Sequence, residues 1–248
     1  MTLTLIIIFS VLGSVGAIVT ASIFLLFKEK TQKRLIPYLI SYATGTLLTA
    51  ALLGLIPHSL EHLSPTQTFS TVLGGIMLFF LLEKIVIWRH CHNPDCIKDH
   101  HNTAPMILIG DAFHNFVDGV VIAASFLISI PLGIAIGISI IAHEIPQEVG
   151  DFGILLHNGY SKKKALLWNV LSGLTTLPAA IIAYFALENI HTVTPYIMAI
   201  SAASFLYIAL VDLSPELHRK IGVGQNIKQI LSILGGIGTM LVVLHFHP

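Results

Sequence analysis

Eight stretches of about 20 mostly apolar residues recur along the chain, and this is the length that an α-helix needs to cross the hydrocarbon core of a bilayer. The stretches lie at roughly 3–27, 37–57, 69–88, 105–128, 132–156, 165–187, 195–213 and 228–246. Only 10% of the residues are charged, against about 25% in soluble domains, so the composition argues against a water-soluble fold. We therefore expect an all-α integral membrane protein with eight transmembrane helices in a single domain over residues 1–248.

The distribution of positive charge predicts how these helices are oriented. All 13 lysine and arginine residues fall in or beside the connections that follow spans one, three, five and seven. They are Lys28, Lys30, Lys33, Arg34, Lys84, Arg89, Lys98, Lys162, Lys163, Lys164, Arg219, Lys220 and Lys228. Since cytoplasmic loops carry the excess of Lys and Arg, both termini should lie outside. Residues 89–104 then form a cytoplasmic loop between spans three and four, and no basic tract suggests a nucleic acid partner.

Polar and acidic side chains interrupt the fourth and fifth spans, although a carboxylate at the centre of a bilayer helix costs about 2.5–3.5 kcal/mol on insertion scales. The fourth span contains GDAFHNFVDG, in which Asp111, His114 and Asp118 share one helical face. Asn115 flanks this face. The fifth span contains AHEIPQEVGDF, where the polar side chains form two pairs spaced by about one helical turn. These pairs are His143 with Gln147, and Glu144 with Glu148.

Both polar stripes are expected near the middle of the membrane. At a rise of 1.5 Å per residue, the stripe of span four lies roughly 13–20 Å from the cytoplasmic surface, and that of span five roughly 16–24 Å from the outer surface. Antiparallel helices joined by a short turn pack side by side, so the stripes can face each other. Two imidazoles, two amides and three carboxylates form a donor set that suits zinc and its first-row neighbours. The alternative is that these groups only hold helices together through hydrogen bonds.

Further candidate ligands lie along the path that an ion would take across the membrane. Candidates for this pathway are His58, Glu61, His62, Asp111, Asp151, Asp212 and Glu216. The first three share a helical face at the outer end of span two, and the other four lie toward the cytoplasm. The cytoplasmic loop offers soft and borderline ligands as a possible capture site, namely His90, Cys91, His92, Cys96, His100 and His101. Its C-x4-C spacing is not that of a zinc finger, and a solvated loop is the alternative description.

The segments HNFVDG at 114–119 and HEIPQEVGDF at 143–152 resemble the paired signatures of the ZIP family of divalent metal transporters. The resemblance extends over most of the chain, because LIPHS at the end of span two and FLYIALVDLSPEL around span seven are also similar to that family. It implies a 3+2+3 bundle, in which spans one to three are related to spans six to eight by an inverted repeat. The metal site would lie between spans four and five.

Carried over residue by residue, the resemblance implies a binuclear metal centre. Its ligands would be His114, Asn115, Asp118, His143, Glu144 and Gln147, and Glu148 belongs to the same motif. The chain departs from the family at Gln147, where similar eukaryotic members carry a second histidine in HExPHExGD. Because glutamine offers a neutral, harder oxygen, one of the two metal positions is expected to be weaker. His143 favours zinc, since members that favour manganese tend to have an acid there.

We therefore expect a transporter that moves Zn²⁺ from outside into the cytoplasm, with Cd²⁺, Fe²⁺ and Mn²⁺ as further candidate ions. We expect neither an enzyme nor an organic cofactor, and no G-x-x-x-x-G-K-[ST] phosphate-binding loop occurs in the sequence. The expected partners are divalent metal ions, the lipid bilayer and, by the resemblance, a second copy in a homodimer. The short connections look bacterial, which would place the protein in the inner membrane.

Two alternatives come from other functional classes. The segment from His143 to Gln147 differs by one residue from the H-E-x-x-H of metalloproteases, so an intramembrane zinc-dependent hydrolase is one alternative. Against it, glutamine is a poor zinc ligand and Pro146 lies inside the motif. A metal-sensing receptor that binds without transporting is the other.

Overall fold

The computed structural model describes residues 1–90, 104–187, 192–218 and 223–245. Every regular element in these ranges is helical, and none of them contains a β-strand. Eight helices of the described chain are long and apolar enough to cross a membrane. In chain order, α1 to α8 are Thr2–Phe24, Lys30–Leu60, Pro65–Ile85, Leu108–Ile128, Ile130–Leu156, Lys162–Leu187, Thr194–Val211 and Gln225–His245. A turn at 174–175 divides α6 into Lys162–Gly173 and Thr176–Leu187. The predicted all-α class and the number of spans are therefore confirmed.

Several helices continue beyond the apolar spans. The regular segments run over Pro65–His90, Ala104–Ile128, Ile130–His157 and Val223–His245. The helix that contains α2 begins at Glu29, earlier than the predicted 37, because the polar segment before the apolar span is also helical. There the Gln32 amide donates hydrogen bonds to the carbonyls of Leu25 and Phe27, at 3.0 Å and 2.9 Å. Carbonyls at the end of a helix lack donors from a further helical turn, so the Gln32 amide supplies these hydrogen bonds and links α1 to α2.

Helices α2 and α7 share an irregularity that the sequence pattern did not reveal. Each contains one π-helical turn, at Ala50–Leu55 in α2 and at Ile208–Leu213 in the helix that begins with α7. In both cases a proline follows the end of this turn by two positions, Pro57 in one helix and Pro215 in the other. Helix α1 has a π turn as well, at Leu12–Gly16, but no proline follows it at this position. Single π turns are rare and often lie at functional sites. The shared arrangement relates the second helix to the seventh.

The buried fractions of α1, α2 and α3 follow the same order as those of α6, α7 and α8. The shares of the span buried inside the protein are 33%, 72% and 17% for α1 to α3, and 39%, 61% and 17% for α6 to α8. Helix α2 packs mainly on α8, and α3 on α7, while α4 packs on α6 and α5 on α1. If α1, α2 and α3 are exchanged with α6, α7 and α8, and α4 with α5, the pair α2–α8 becomes α7–α3. In the same way the pair α4–α6 becomes α5–α1. The structure thus supports the inverted repeat that the resemblance implies.

Close contacts at glycines bring these helix pairs together. A Cβ atom added at Gly45 of α2 would overlap the backbone carbonyl of Ile233 in α8. A Cβ atom at Gly75 of α3 would lie 2.6 Å from the Cβ of Ala203 in α7. In lipid, van der Waals packing replaces the hydrophobic effect as the force between helices, so small residues at such points stabilise the bundle.

The hairpin between α4 and α5 is short and well defined. Ser129 alone separates the helix that ends at Ile128 from the helix that begins at Ile130. The Ser129 hydroxyl accepts a hydrogen bond from the Leu132 amide at 3.2 Å, and Pro131 lies in the first turn. Both features are typical of a helix start. The short connection places α4 and α5 side by side with opposite directions.

The glycine contacts predict different effects for two neighbouring substitutions in α3. Gly75→Ala should lower stability by about 1–3 kcal/mol, because the added methyl overpacks the contact with α7. The matched control is Gly74→Ala, since a Cβ atom there meets nothing within 4 Å. Thermal unfolding of both purified variants in the same detergent checks this. Equal melting temperatures for the two variants would contradict the packing.

Candidate metal centre

Four side chains of α4 and α5 converge in the interior of the bundle, and we call them the histidine cluster. They are His114, Asp118, His143 and Glu144. One nitrogen or carboxylate oxygen from each lies within 4.8 Å of all the others. The side chains of Asp118, His143 and Glu144 are at most 1% exposed, and that of His114 is 13% exposed. The two polar stripes therefore face each other at the contact between the helices.

The distances within this cluster match those between ligands of one small ion. The two Nε2 atoms of His114 and His143 are 2.9 Å apart. Nε2 of His143 lies 3.3 Å from Oδ2 of Asp118, and Nε2 of His114 lies 3.4 Å from Oε1 of Glu144. Tetrahedral ligands at about 2.0–2.1 Å from a zinc ion are about 3.3 Å from one another. Two imidazole nitrogens and two carboxylate oxygens therefore offer a complete zinc coordination set.

A backbone carbonyl fixes the orientation of His143. Its Nδ1 lies 3.0 Å from the carbonyl oxygen of Ser139, one turn earlier in α5. Because a carbonyl oxygen can only accept, Nδ1 carries the proton and Nε2 of the neutral ring offers its lone pair to the cluster. Such a hydrogen bond to the second nitrogen is usual for histidines that bind metal. Ser139 lies outside the two motifs recognised in the sequence.

A second group, which we call the acidic cluster, lies next to the first. It consists of Asp111, Glu144 and Glu148, each with one carboxylate oxygen within 4.8 Å of those of the others. Asp111 is 4% exposed, and the other two are fully buried. Glu144 therefore belongs to both clusters. Since α4 and α5 run in opposite directions, Asp111 and Glu148 both lie closer than the histidines to the side of the molecule that carries Lys and Arg.

The two amides of the motifs contact Asp111 in this structure. The Asn115 side chain donates a hydrogen bond to Oδ1 of Asp111 at 2.9 Å, and the Gln147 side chain donates to the same atom at 3.4 Å. The Asn115 carbonyl oxygen accepts a hydrogen bond from the Thr176 hydroxyl of α6 at 2.8 Å. The two amide nitrogens therefore share one carboxylate oxygen. Both hold the Asp111 carboxylate in place.

The glycine of the HNFVDG segment explains why α6 comes this close. A Cβ atom at Gly119 would overlap the carbonyl of Thr176 and lie 3.0 Å from the Cβ of Ala179. Only a residue without a side chain permits this approach. The contact brings the Thr176 hydroxyl to Asn115, a role for α6 that the sequence analysis missed. The only sign of it in the sequence is that the polar residue Thr176 lies inside the apolar span α6.

The remaining pathway candidates belong to neither cluster, although the charge of Asp151 acts on Glu148 of the acidic cluster. His58, Glu61 and His62 line a cavity of about 1280 Å³ at the end of α2 that the charge pattern assigns to the outside. There Nδ1 of His58 lies 3.1 Å from a carboxylate oxygen of Glu61. Asp151 is partly exposed on α5, beyond Glu148 in the direction of the Lys- and Arg-bearing side.

Some of the predicted residues are only partly covered by the structure. Asp212 lies in the π-helical turn of the helix that begins with α7, and Glu216 lies in the helical turn that follows it. Their side chains are outside the described part of the chain, as is that of His90 at the end of its helix. The remaining loop candidates, Cys91, His92, Cys96, His100 and His101, also lie outside the described residues.

The comparison with known proteins now decides the family. The profile described as "ZIP Zinc transporter" matches residues 89–244, which include both clusters. The chain belongs to the ZIP zinc transporter family. Its members are metal transporters, so an enzyme is not favoured, and the hydrolase alternative is set aside.

Individual relatives agree with this assignment. The chain is 38% identical over 149 residues to "Zinc transporter ZIP10" of Danio rerio, covering 57% of this chain and 18% of that protein. It is 39% identical over 141 residues to "Zinc transporter foi" of Drosophila melanogaster, covering 56% of this chain and 20% of that protein. An alignment with "Metal cation symporter ZIP14" of Mus musculus, at 28% identity over 320 residues, covers 93% of this chain and 65% of that protein.

The relatives differ from this chain in length, and they also bear on its expected location. The chain spans about a fifth of the length of the ZIP10 and foi proteins that it matches. All three are animal proteins, so they give no support to the bacterial inner membrane that the short connections suggested. The multi-pass membrane character is supported by the family and by the eight spans of the described chain.

The contact between α4 and α6 predicts an effect on stability. Thr176→Val keeps the shape of the side chain but removes the hydroxyl, which leaves the buried Asn115 oxygen without its donor. We expect a loss of about 1–3 kcal/mol. The control is Thr71→Val in α3, whose hydroxyl bonds the carbonyl of Gln67 in its own helix. Chemical denaturation monitored by tryptophan fluorescence checks this, and a Thr176→Val midpoint equal to that of the control would contradict the hydrogen bond.

Proposed function

We propose that this chain transports Zn²⁺ from outside into the cytoplasm through the contact between α4 and α5. The observation that carries the proposal is the histidine cluster, whose four donor atoms lie within 4.8 Å of one another in the buried centre of the bundle. Two carboxylates and two imidazoles in hydrocarbon need a compensating charge, and a dication supplies it. The membership of the family supports transport as the purpose of this binding.

The path of the ion follows from where the other ligands lie. The ion would enter by the cavity next to His58, Glu61 and His62 and lose part of its water there. It would then bind in the histidine cluster and leave past Asp111 and Asp151. In transporters built from inverted repeats, a site near the midplane is exposed to each side in turn, and the repeated order of α1 to α3 and α6 to α8 supports this mechanism.

Release requires that the ion is not held too firmly. Metal ligands must be deprotonated to bind, so protonation of His114 or His143 would weaken the histidine cluster and favour departure. His114 is the most exposed of the four ligands, which makes it the easiest to reach from water. Zinc is the preferred ion because two of the four donors are imidazole nitrogens. Cd²⁺, Fe²⁺ and Mn²⁺ remain competitors to be tested.

The binuclear centre and the homodimer also belong to this proposal. The resemblance implies two metal positions among His114, Asn115, Asp118, His143, Glu144 and Gln147, one of them weakened by Gln147. In the structure the amide nitrogens of Asn115 and Gln147 donate to Asp111, and the Asn115 oxygen accepts from Thr176. Chemical cross-linking in native membranes would reveal a second copy of the chain.

The geometry gives a reason to prefer transport over the hydrolase. A metalloprotease needs its glutamate free as a general base next to a metal held by two histidines. Here Oε1 of Glu144 lies within 3.6 Å of Nε2 in both His114 and His143, so it is part of the ligand set. The Gln147 amide is directed to Asp111 instead of to the second ligand position.

Flux through liposomes tests the proposal. Purified protein in sealed vesicles with a zinc-sensitive dye inside should show saturable uptake of Zn²⁺. Asp118→Asn and His143→Ala should each reduce this uptake at least about tenfold, since they remove a ligand. The control is Ser232→Ala in α8, whose hydroxyl bonds the carbonyl of Lys228, and it should transport normally.

Two results would overturn transport. Vesicles that stay dark while the protein binds Zn²⁺ tightly would show the metal-sensing receptor. Dark vesicles with cleavage of an added peptide would show the hydrolase.

A further inference from the structure

We propose that the headgroup of an anionic phospholipid binds where the end of α1 meets the start of α6, on the Lys- and Arg-bearing side of the bundle. The cationic side chains of this site, which we call the basic rim, are Lys28, Lys30, Arg34, Lys162, Lys163 and Lys164. The site shares no residue with the histidine cluster or the acidic cluster. It does not rest on the proposed function, because it depends only on the charge and the packing of this edge of the bundle.

Packing joins two basic segments that lie far apart in the sequence. Leu25 follows the end of α1 and Tyr160 precedes the start of α6, and both pack against a small apolar cluster that includes Ala165. Lys28 is three residues beyond Leu25, a distance of at most about 11 Å along the chain. The three lysines at 162–164 come immediately before Ala165. The same apolar contact therefore brings cations from both segments to one edge of the bundle.

Hydrogen bonds fix the backbone of both segments. The Gln32 amide donates to the carbonyls of Leu25 and Phe27, at 3.0 Å and 2.9 Å, so the chain from the end of α1 into the next helix follows one course. The Ser161 hydroxyl accepts a hydrogen bond from the Lys164 amide at 3.4 Å and caps the start of α6. A headgroup therefore meets cations on a backbone that is already ordered, which lowers the entropic cost of binding.

The positive charge of the basic rim is exposed and is not neutralised by neighbouring acids. All six of its side chains are exposed. Every ion pair in the described part of the chain involves a histidine, so no carboxylate there is paired with these cations. Residues 28–34 and 160–168 together contain seven Lys and Arg residues and one acid, Glu29, whose side chain is outside the described part. This excess of positive charge is complementary to a phosphate group.

Apolar side chains beside the basic rim indicate that the phosphate belongs to a lipid. Leu26 is 80% exposed and Phe27 is 51% exposed at the end of α1, and Trp168 of α6 is 40% exposed. The Lys164 ammonium lies 4.8 Å from the centre of the Tyr160 ring. Aromatic side chains are typical of the level of lipid headgroups, and acyl chains would cover the apolar surface. An anionic phospholipid offers both parts, whereas free phosphate offers only the charge.

The convergence of charge goes beyond what membrane orientation requires. The positive-inside rule needs an excess of Lys and Arg on one side of the membrane, and it is satisfied wherever on that side they lie. Groups of four to eight such residues next to a membrane helix are typical of sites for anionic lipids. The basic rim has six, contributed by two segments that meet through α1 and α6.

Trp168 is placed to report on the occupant. The chain contains two tryptophans, so a Trp88→Phe background leaves Trp168 as the single fluorophore. The full-length protein in phosphatidylcholine vesicles receives increasing fractions of phosphatidylglycerol with brominated acyl chains, and brominated phosphatidylcholine serves as the reference. Bromine quenches tryptophan fluorescence on contact. Phosphatidylglycerol should replace phosphatidylcholine beside Trp168 with at least about fivefold preference, and this preference should fall as salt rises.

Charge-removing variants show whether the basic rim causes this preference. Lys162→Gln, Lys163→Gln and Lys164→Gln combined should reduce it to about onefold, since the cations that attract the phosphate are lost. The combination of Lys28→Gln and Lys30→Gln should also reduce it, and it serves if the triple variant does not fold. The matched control is Lys84→Gln, the same chemical change at an exposed lysine of the helix that contains α3, which packs mainly on α7.

Two outcomes would overturn the proposal. One is equal quenching by the two brominated lipids in the protein with native lysines. The other is a preference for phosphatidylglycerol that survives in both sets of lysine variants, because the charge would then act from elsewhere. Zn²⁺ uptake does not enter this measurement, so failure of lipid binding and failure of transport are distinguishable.

Discussion

Acidic side chains in the hydrocarbon interior need a counter-charge, and this requirement governs the centre of the molecule. Asp118, Glu144 and Glu148 are fully buried. The short hairpin at Ser129 brings α4 and α5 together, so that their carboxylates meet two imidazoles. The histidine cluster and the acidic cluster share Glu144. In the proposed function, a bound dication supplies this counter-charge.

The sequence was sufficient for the features that depend on local periodicity. Hydropathy located eight spans, because a helix in lipid must satisfy its own backbone and needs a fixed length. Helical spacing placed His114 and Asp118 on one face, and the short turn to α5 indicated that His143 and Glu144 would meet them. The structure brings these four side chains together. In each case the information lies within about 30 residues of chain.

The features that the sequence did not predict depend on contacts between distant helices. Asn169 and Thr176 are polar residues of α6 without a periodic partner, so nothing in their own span indicates that they face α4 and α5. The sequence pattern also did not indicate that the amide nitrogens of Asn115 and Gln147 donate to Asp111, or that Thr176 donates to the Asn115 oxygen. The π turns also have no sequence signature of their own. They became visible as a shared feature of α2 and α7 only in three dimensions.

The shallow burial of α3 and α8, 17% in each, has a consequence for how such a chain can change over time. Most of the surface of these two helices faces lipid acyl chains, which solvate aliphatic and aromatic side chains about equally well. Shape matters there only at points such as Gly75, where another helix is in contact. Substitutions among leucine, isoleucine, valine and phenylalanine on the remaining faces should therefore be nearly neutral. Sequence divergence should accumulate on the lipid-facing surfaces of α3 and α8.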